Sequence, residues 1–318
     1  MNDISIVEYD KKDKNSCIDL LKKTFPGSSD DITFNWRFES SLRPTPLIVC
    51  AKDSDKVISF NSWIPWEFFY KGEKFVGYQS GESATDPQYR GKGIWGRTLN
   101  YADKIALDRN IDFLFGFPSE MSYKAFHKAG YYPICNFYFH NRIINPFKKR
   151  RNEKTDYHYN DFDHQIIMDR NKITPVFDSE YFKWRYSDNP KNYDVIKYYE
   201  NQNQAIFILK KGKRYNARHK VNINIMMLLD CQFSCYHDKF INNAIKYLDK
   251  IYSRKALFMT TFFNENTDKG RAIIKHFNIK DKFRGEPFSI KPLNKNIDYS
   301  VLLNYNNWDI LPHVIDEN

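Results

Sequence analysis

Glycine is scarce in this chain, 12 in 318 residues, yet Gly91, Gly93 and Gly96 all fall within "ATDPQYRGKGIWGRTLNYADKIA" (84–106), among Arg90, Lys92 and Arg97. A strand that ends in a glycine-rich turn and opens a helix is a phosphate-binding device. The turn's N–H groups and the first orphan N–H groups of the helix converge, and the helix dipole adds partial positive charge. Glycine lets phosphate oxygens come close to the backbone, and basic neighbours supply the charge a pyrophosphate needs. The plainer alternative is a turn that only connects two elements. A dinucleotide fold would need GxGxxG with an acid about 20 residues on, and a P-loop would need GxxxxGK[ST]. Neither pattern is present here.

Candidate proton-transfer groups lie on either side of this turn. Glu82 is the only acid of the apolar run Phe75–Thr85. Burial raises a carboxyl's pKa, which suits a base working near neutrality. An ion pair with a nearby cation such as Arg37 is the competing expectation. In "SYKAFHKAGYYP", Tyr123 and His127 are candidate acids if a short helix turns either one inward; packing or solvent exposure is the alternative. The five cysteines are scattered, and Cys231 and Cys235, four apart, have no ligand-spaced histidine pair. His140, His164, His219 and His276 also lack ligand spacing, so no metal is expected. Buried or idle thiols and a reducing cytoplasm are the expectation.

A formal charge of +10 admits nucleic acid, an anionic membrane surface, or small phosphate-rich ligands. The densest cluster, "KKRR" at 148–151, reads as a solvated linker. No basic stripe with interleaved aromatics marks a nucleic-acid module, so no nucleic-acid partner is expected. No apolar run approaches the ~20 residues that span a bilayer, and the start, "MNDISIVEYDKKDKNS", is polar.

An internal repeat supplies the elements that must position these groups. "DDITFNWRFESSLRPTPLIVCAKDSDKVISF" (30–60) aligns without a gap on "DSEYFKWRYSDNPKNYDVIKYYENQNQAIFI" (178–208), matching Asp30, Phe34, Trp36 and Arg37 with Asp178, Phe182, Trp184 and Arg185. Each is followed by two apolar runs around a polar turn, a hairpin signal. "YADKIALDRNIDFLFGF" (101–117) matches "YLDKIYSRKALFMTTF" (247–262) at nearly the same offset. The chain therefore reads as two copies of one α/β unit, 1–147 and 160–318, with a linker at about 148–159. In the first copy the pattern predicts a helix over 17–25, paired strands over 47–52 and 57–63, and a strand over 75–85. A helix over about 95–110, a strand over 112–117, a helix over 122–129 and a strand over 134–144 follow. Most aromatics are expected in the core; for Trp63, Trp66 and Tyr70 core packing is preferred, with stacking on a base or sugar ring as the alternative.

"DPQYRGKGIWGRTL" resembles the acyl-CoA signature of the GNAT acetyltransferase superfamily, Arg/Gln-x-x-Gly-x-Gly/Ala. The resemblance implies tandem GNAT-like domains, each a mostly antiparallel mixed sheet flanked by helices. It implies that the amides of Arg90, Gly91, Lys92, Gly93, Ile94, Trp95 and Gly96 face the CoA pyrophosphate. Pantetheine would lie along the strand ending Ser83-Ala84-Thr85, with a main-chain N–H near Ser83 or Ala84 polarising the thioester carbonyl. Trp95 stands where Gly or Ala is usual, and Gly96 comes one place late. Phe126 stands where the superfamily's tyrosine acid is usual. The second copy has no glycine at the equivalent place, in "CQFSCYHDKF", which implies one CoA site and a second half free to form the acceptor pocket. The tandem halves also resemble nucleotide-sugar N-acyltransferases. That likeness implies acylation of a dTDP-amino-dideoxyhexose for surface polysaccharide, with an acetyl or 3-hydroxybutyryl donor. An aminoacyl transferase of cell-wall peptide synthesis and a non-catalytic acyl-CoA sensor are the alternatives.

Overall fold

The structure is a computed structural model that describes residues 4–25, 30–40, 44–147, 169–216 and 220–315. The expected linker at 148–159 and the KKRR cluster lie outside the described residues. The first half runs β1 (Ile4–Glu8), α1 (Lys14–Thr24), α2 (Asp31–Phe34), β2 (Leu47–Asp53), β3 (Lys56–Tyr70), β4 (Glu73–Thr85), α3 (Ile94–Asp108), β5 (Phe113–Gly116), α4 (Glu120–Lys128) and β6 (Tyr132–Ile143). The second half runs β7 (Thr174–Pro175), α5 (Ser179–Phe182), β8 (Asp194–Glu200), β9 (Asn203–Asn216), β10 (Val221–Phe233), α6 (Asp238–Tyr252), β11 (Phe258–Thr261), α7 (Asp268–Ile274) and β12 (Ile279–Pro292). A closing segment holds α8 (Tyr299–Leu302) and two short 3-10 turns. None of the described helices is long and apolar enough to cross a membrane.

The repeat is visible in local chemistry. Asp30 caps α2 by accepting from the Thr33 N–H, and Asp178 caps α5 by accepting from the Tyr181 N–H. An Asp side chain does this because it satisfies one of the helix's orphan donors. Each short helix then opens into a π-turn, Asn35–Glu39 and Lys183–Ser187, carrying the Trp-Arg pair. The two turns meet. The Trp36 indole N–H donates to the Trp184 carbonyl at 2.6 Å, and the two rings stack at 5.6 Å with 16° between planes.

One twelve-stranded mixed sheet passes through both halves, eleven strands in the order β1-β2-β3-β4-β5-β12-β6-β11-β10-β9-β8 and the short β7 pairing with β3 off that path. Most neighbours are antiparallel; β4–β5 and β10–β11 are parallel. The last strand of each half crosses over. β12 lies between β5 and β6, and β6 lies between β12 and β11. The main core follows the same path, with Phe34, Phe60 and Phe68 in one apolar cluster with Trp184, Phe288 and Trp308. Trp308, fully buried, packs its ring against Phe68, Phe113 and Phe288 at 5.1–5.7 Å. Neither half closes its core without side chains of the other.

Candidate functional site

β4 and β5 pair in parallel over three positions only: Gly77 with Phe113, Tyr78 with Leu114, Gln79 with Phe115. β5 stops at Gly116, while β4 continues to Thr85 with β3 alongside it. Among the described strands, the other edge of β4 from Ser80 to Thr85 has no neighbour, so its N–H and C=O groups on that side have no strand partner. Gly116 is small where it must be, because a Cβ there would lie 3.0–3.2 Å from Phe126 and Ser80. The register of β4 against β3 also shifts here, since Asn61 faces Ser83 but Trp63 faces Ser80. That extra residue is a β-bulge, a device that re-aims side chains and ends pairing. The Ser62 hydroxyl holds the bulge by donating to the Glu82 carbonyl at 3.1 Å.

The glycine loop lies where β4 runs out. Asp86 ends the strand and accepts from the Gln88 N–H at 3.1 Å, starting the short turn Pro87–Tyr89. Gly91 and Gly93 are left-handed, with φ of 75° and 70°, and Gly93 is the N-cap of α3. A non-glycine residue in that conformation costs roughly 1–2 kcal/mol. A Cβ at Gly91, Gly93 or Gly96 would meet nothing within 4 Å, so the space over the loop is open. Ile94, Trp95 and Gly96 form the first turn of α3, where N–H groups lack an acceptor within the helix. No acid stands in that turn.

The loop is anchored on three sides. Asp86 is 1% exposed and bonds the Lys23 ammonium from α1 at 2.9 Å, with Lys56 at 3.5 Å. Burial alone would raise this carboxyl, but Lys23, the Gln88 N–H and Lys56 outweigh it and hold it below the usual range. The Tyr89 hydroxyl donates to Asp53 at 2.6 Å, and Lys92 sits 4.9 Å over the Tyr89 ring. Two cations serve as braces: Arg90 donates to the Thr85 carbonyl at 3.1 Å and Arg97 to the Ile4 carbonyl at 2.9 Å. The signal for Asp86 was present in the sequence as an Asp-Pro cap, whereas its partner Lys23 could come only from the fold.

Glu82 is buried, and its carboxylate meets Arg37 Nη1 at 2.7 Å, both side chains being almost fully enclosed. The π-turn that carries Arg37 is what aims it at the bulge. The competing expectation for Glu82, an ion pair with Arg37, is the arrangement found. At the meeting of the halves a cavity of about 10 Å³ is lined by Trp36, Ile64, Trp66, Gln79, Trp184, Arg185 and Ile315. The Trp66 indole N–H and the Gln79 amide oxygen are buried without hydrogen-bond partners. A donor and an acceptor sharing a space of that size suit one water molecule. Reading the sequence gave no signal for Gln79, an ordinary polar residue in an apolar strand. Trp63 and Trp66 are buried as expected, the latter packed on Tyr181 and Trp184 at 5.6 and 6.1 Å.

α4 turns Phe126 inward, where it packs on Trp95 and Tyr131 at 6.0 and 4.6 Å. His127 and Tyr123 are left at the surface, Tyr123 with 37% of its area exposed. The inward turn that a role for either would require is made by Phe126 instead. Among the described residues no group of three or more His, Cys, Asp or Glu side chains is placed to hold a metal ion.

The second half repeats the frame without the loop. β10 pairs with β11 over Ile225–Met227, and its register against β9 shifts between Leu228 and Asp230, the same splay and bulge. Only residues 234–237 separate β10 from α6, whereas residues 86–93 separate β4 from α3. No glycine is among them, and the acid Asp238 opens α6. The chain's own closing segment fills this end. Asp309 meets the buried Lys269 at 3.3 Å, and Arg185 donates to the His313 carbonyl at 3.3–3.4 Å. The His313 ring lies 3.9 Å from Asp230. Burial would lower the Lys269 pKa, but Asp309 and Asp230 raise it well above the ordinary lysine value.

Residues 5–134 match the family model described as an acetyltransferase (GNAT) domain. No curated protein matches the sequence. Among solved structures, a conserved protein of unknown function from Enterococcus faecalis V583, described as a "Probable N-Acyltransferase", aligns over 92% of this chain and 73% of its own at TM-score 0.63 and 11% identity. A GCN5-related N-acetyltransferase from Anabaena variabilis aligns over 92% and 74% at TM-score 0.62 and 9% identity. Saccharomyces cerevisiae N-myristoyltransferase, solved with bound myristoyl-CoA, aligns over 97% and 84% at TM-score 0.57 and 11% identity. At these identities the structures speak for the fold. The sequence match defines the first half as a GNAT acetyltransferase domain, and with it the class of chemistry: N-acyl transfer from acyl-CoA to an amine.

Proposed function

We propose that this chain is an acyl-CoA-dependent N-acyltransferase with one coenzyme site, formed by β4, the glycine loop and the start of α3. The observation that carries this reading is the pair of left-handed glycines in an open, braced loop at the end of a splayed strand. The amides of Gly91 to Gly96 would hold the pyrophosphate, with Arg90 and Lys92 nearby. Pantetheine would fill the missing strand beside Ser83, Ala84 and Thr85. A main-chain N–H at Ser83 or Ala84 would donate to the thioester oxygen, and one such preorganised donor is worth about 3 kcal/mol in the transition state.

The amine attacks as a neutral group, so one proton must leave it. Glu82 is the buried carboxylate on this stretch of β4, and we assign it to that proton. Arg37 then fixes its orientation. The departing thiolate needs no dedicated acid, because a thiol ionises far more readily than an alcohol. Tyr123 and His127 are therefore assigned at most to the rim of the cleft.

For the acceptor, we favour the amine of a nucleotide-linked amino sugar such as a dTDP-amino-dideoxyhexose, bound where the two halves meet. What supports it is the basic balance, which suits two diphosphates, and the second half's lack of its own glycine loop. The acyl group is open to acetyl, 3-hydroxybutyryl or a longer chain, since a relative in fold carries myristoyl-CoA. A thiol-release assay across acyl-CoAs of increasing length and a panel of nucleotide amino sugars tests this. Coenzyme release that depends on an amino sugar supports the reading; release with peptide or simple amines alone rejects the sugar. Tight acyl-CoA binding without release for any amine makes the protein a sensor.

A further inference from the structure

The sheet ends unevenly in the second half. β8 accompanies β9 only to Leu209, and β11 accompanies β10 only from Ile225. Beyond those limits Lys213–Asn216 and Val221–Asn224 continue as a two-stranded ribbon. Its own charged side chains are all basic, and Lys211 at its base lies 3.9 Å from Asp194 of β8. From Asn201 to Leu229 the sequence has no Asp or Glu, while it holds Lys210, Lys211, Lys213, Arg214 and Lys220. Strand alternation puts Lys211, Lys213 and Tyr215 on one face. All three are exposed, Tyr215 by 61%. On the opposite face Arg214 pairs with Asp281.

The adjoining edge of the sheet brings apolar groups to the same end. The Leu257 N–H donates to the Asn224 carbonyl at 2.9 Å, and the Ile144 N–H donates to the Leu257 carbonyl at 3.0 Å. Arg254 Nε donates to the Pro146 carbonyl at 3.3 Å. Leu257, 44% exposed, therefore lies beside Asn224 on the face of Lys213 and Tyr215. Phe147, 90% exposed, stands at the same end of the sheet next to the Pro146 that Arg254 bonds, and the exposed Val221 lies on the ribbon's other face. Single exposed apolar side chains call for no explanation. Several gathered at one end of a sheet, interleaved with cations, mark an interaction surface.

We propose that this end of the second half docks on an anionic membrane surface. Lysines and arginines are drawn to acidic headgroups, and apolar tips beside them settle at the headgroup boundary. A nucleic acid would also answer the charge, but Leu257 and Phe147 offer nothing to a phosphate or a base edge. The contact is separate from the coenzyme loop, so it stands whatever the acceptor is.

The test is co-sedimentation of the full chain with vesicles of phosphatidylcholine alone or mixed with phosphatidylglycerol. Binding is expected on the anionic vesicles only, falling as salt rises. Lys211→Ala with Lys213→Ala should weaken it about 30-fold. Tyr215→Ser with Leu257→Ser should weaken it about tenfold while keeping the salt dependence. Acyl-CoA binding should be unchanged in both variants, which shows that they fold. Equal binding to neutral vesicles, or none to either, overturns the proposal. So does a DNA duplex or RNA hairpin that binds the protein more tightly than the vesicles do.

Discussion

Gly93 and Gly96 lie three residues apart in the same loop-to-helix junction, yet the structure gives them opposite responses to one methyl group. At Gly93 the backbone is left-handed, at φ 70°, so Gly93→Ala carries a strain of about 1–2 kcal/mol. No neighbour lies within 4 Å, so the strain is the whole folding cost. Gly96 sits inside α3 with an ordinary helical backbone and equally open surroundings. There alanine removes a helix-breaking residue and should stabilise by about 1 kcal/mol. Coenzyme binding should separate them further. In the proposed site a methyl on Gly93 would stand in the phosphate's path, and losing one hydrogen bond to a charged group costs about 1.5–3 kcal/mol, or 10- to 150-fold in affinity. Urea unfolding gives the first quantity and isothermal titration with CoA the second. Equal stability and equal CoA affinity in both variants would refute the loop assignment and the geometry behind it.

Glu82→Gln takes the carboxylate from a buried ion pair with Arg37, so it should destabilise the fold by about 3–5 kcal/mol in urea. In the fraction that stays folded, turnover should drop far more than CoA affinity, and a wild-type pH–rate profile would dismiss Glu82 as the base. Asp86→Asn should loosen the loop by removing the Lys23 tether, weakening CoA binding and also lowering unfolding stability, because it breaks an ion pair at a buried carboxylate. Because the Asp86 carboxyl is held below its ordinary value in the folded protein, its contribution is present above the ordinary carboxylate range and is lost as pH falls through the depressed value. CoA titrations of the two proteins should therefore stay apart through the ordinary carboxylate range and converge only below it, as pH falls through the depressed value. Gly77→Ala drives a Cβ to 2.3 Å from the ring of Phe113, which has no room to move, and should cost about 1–3 kcal/mol by calorimetry.

The local elements were legible because their signals are local. Strands at 47–52 and 75–85 and helices at 95–110 and 122–129 were readable from periodicity, and each lies within a few residues of β2, β4, α3 and α4. The repeat predicted two like halves, and the stacked Trp36 and Trp184 are its physical mark. The exchange of β6 and β12 was not legible, since a strand's own pattern names its faces and not its neighbour. The closing segment that presents Asp309 and His313 to the second half was missed for another reason: short 3-10 turns carry no period to detect. At the site, the glycines and Glu82 were visible as residue types. The bulge that turns Glu82 toward Arg37, and the indole and amide left facing a water-sized space, arise only when distant strands come together.

The central claim is that one bend of backbone grips the coenzyme and its counterpart in the twin half does not. A crystal structure of the protein with CoA tests it most directly. The account predicts one molecule per chain, its diphosphate on the amides between Gly91 and Gly96 and its pantetheine against β4. Density for the diphosphate at the turn between β10 and α6, or anywhere away from the glycine loop, would contradict it.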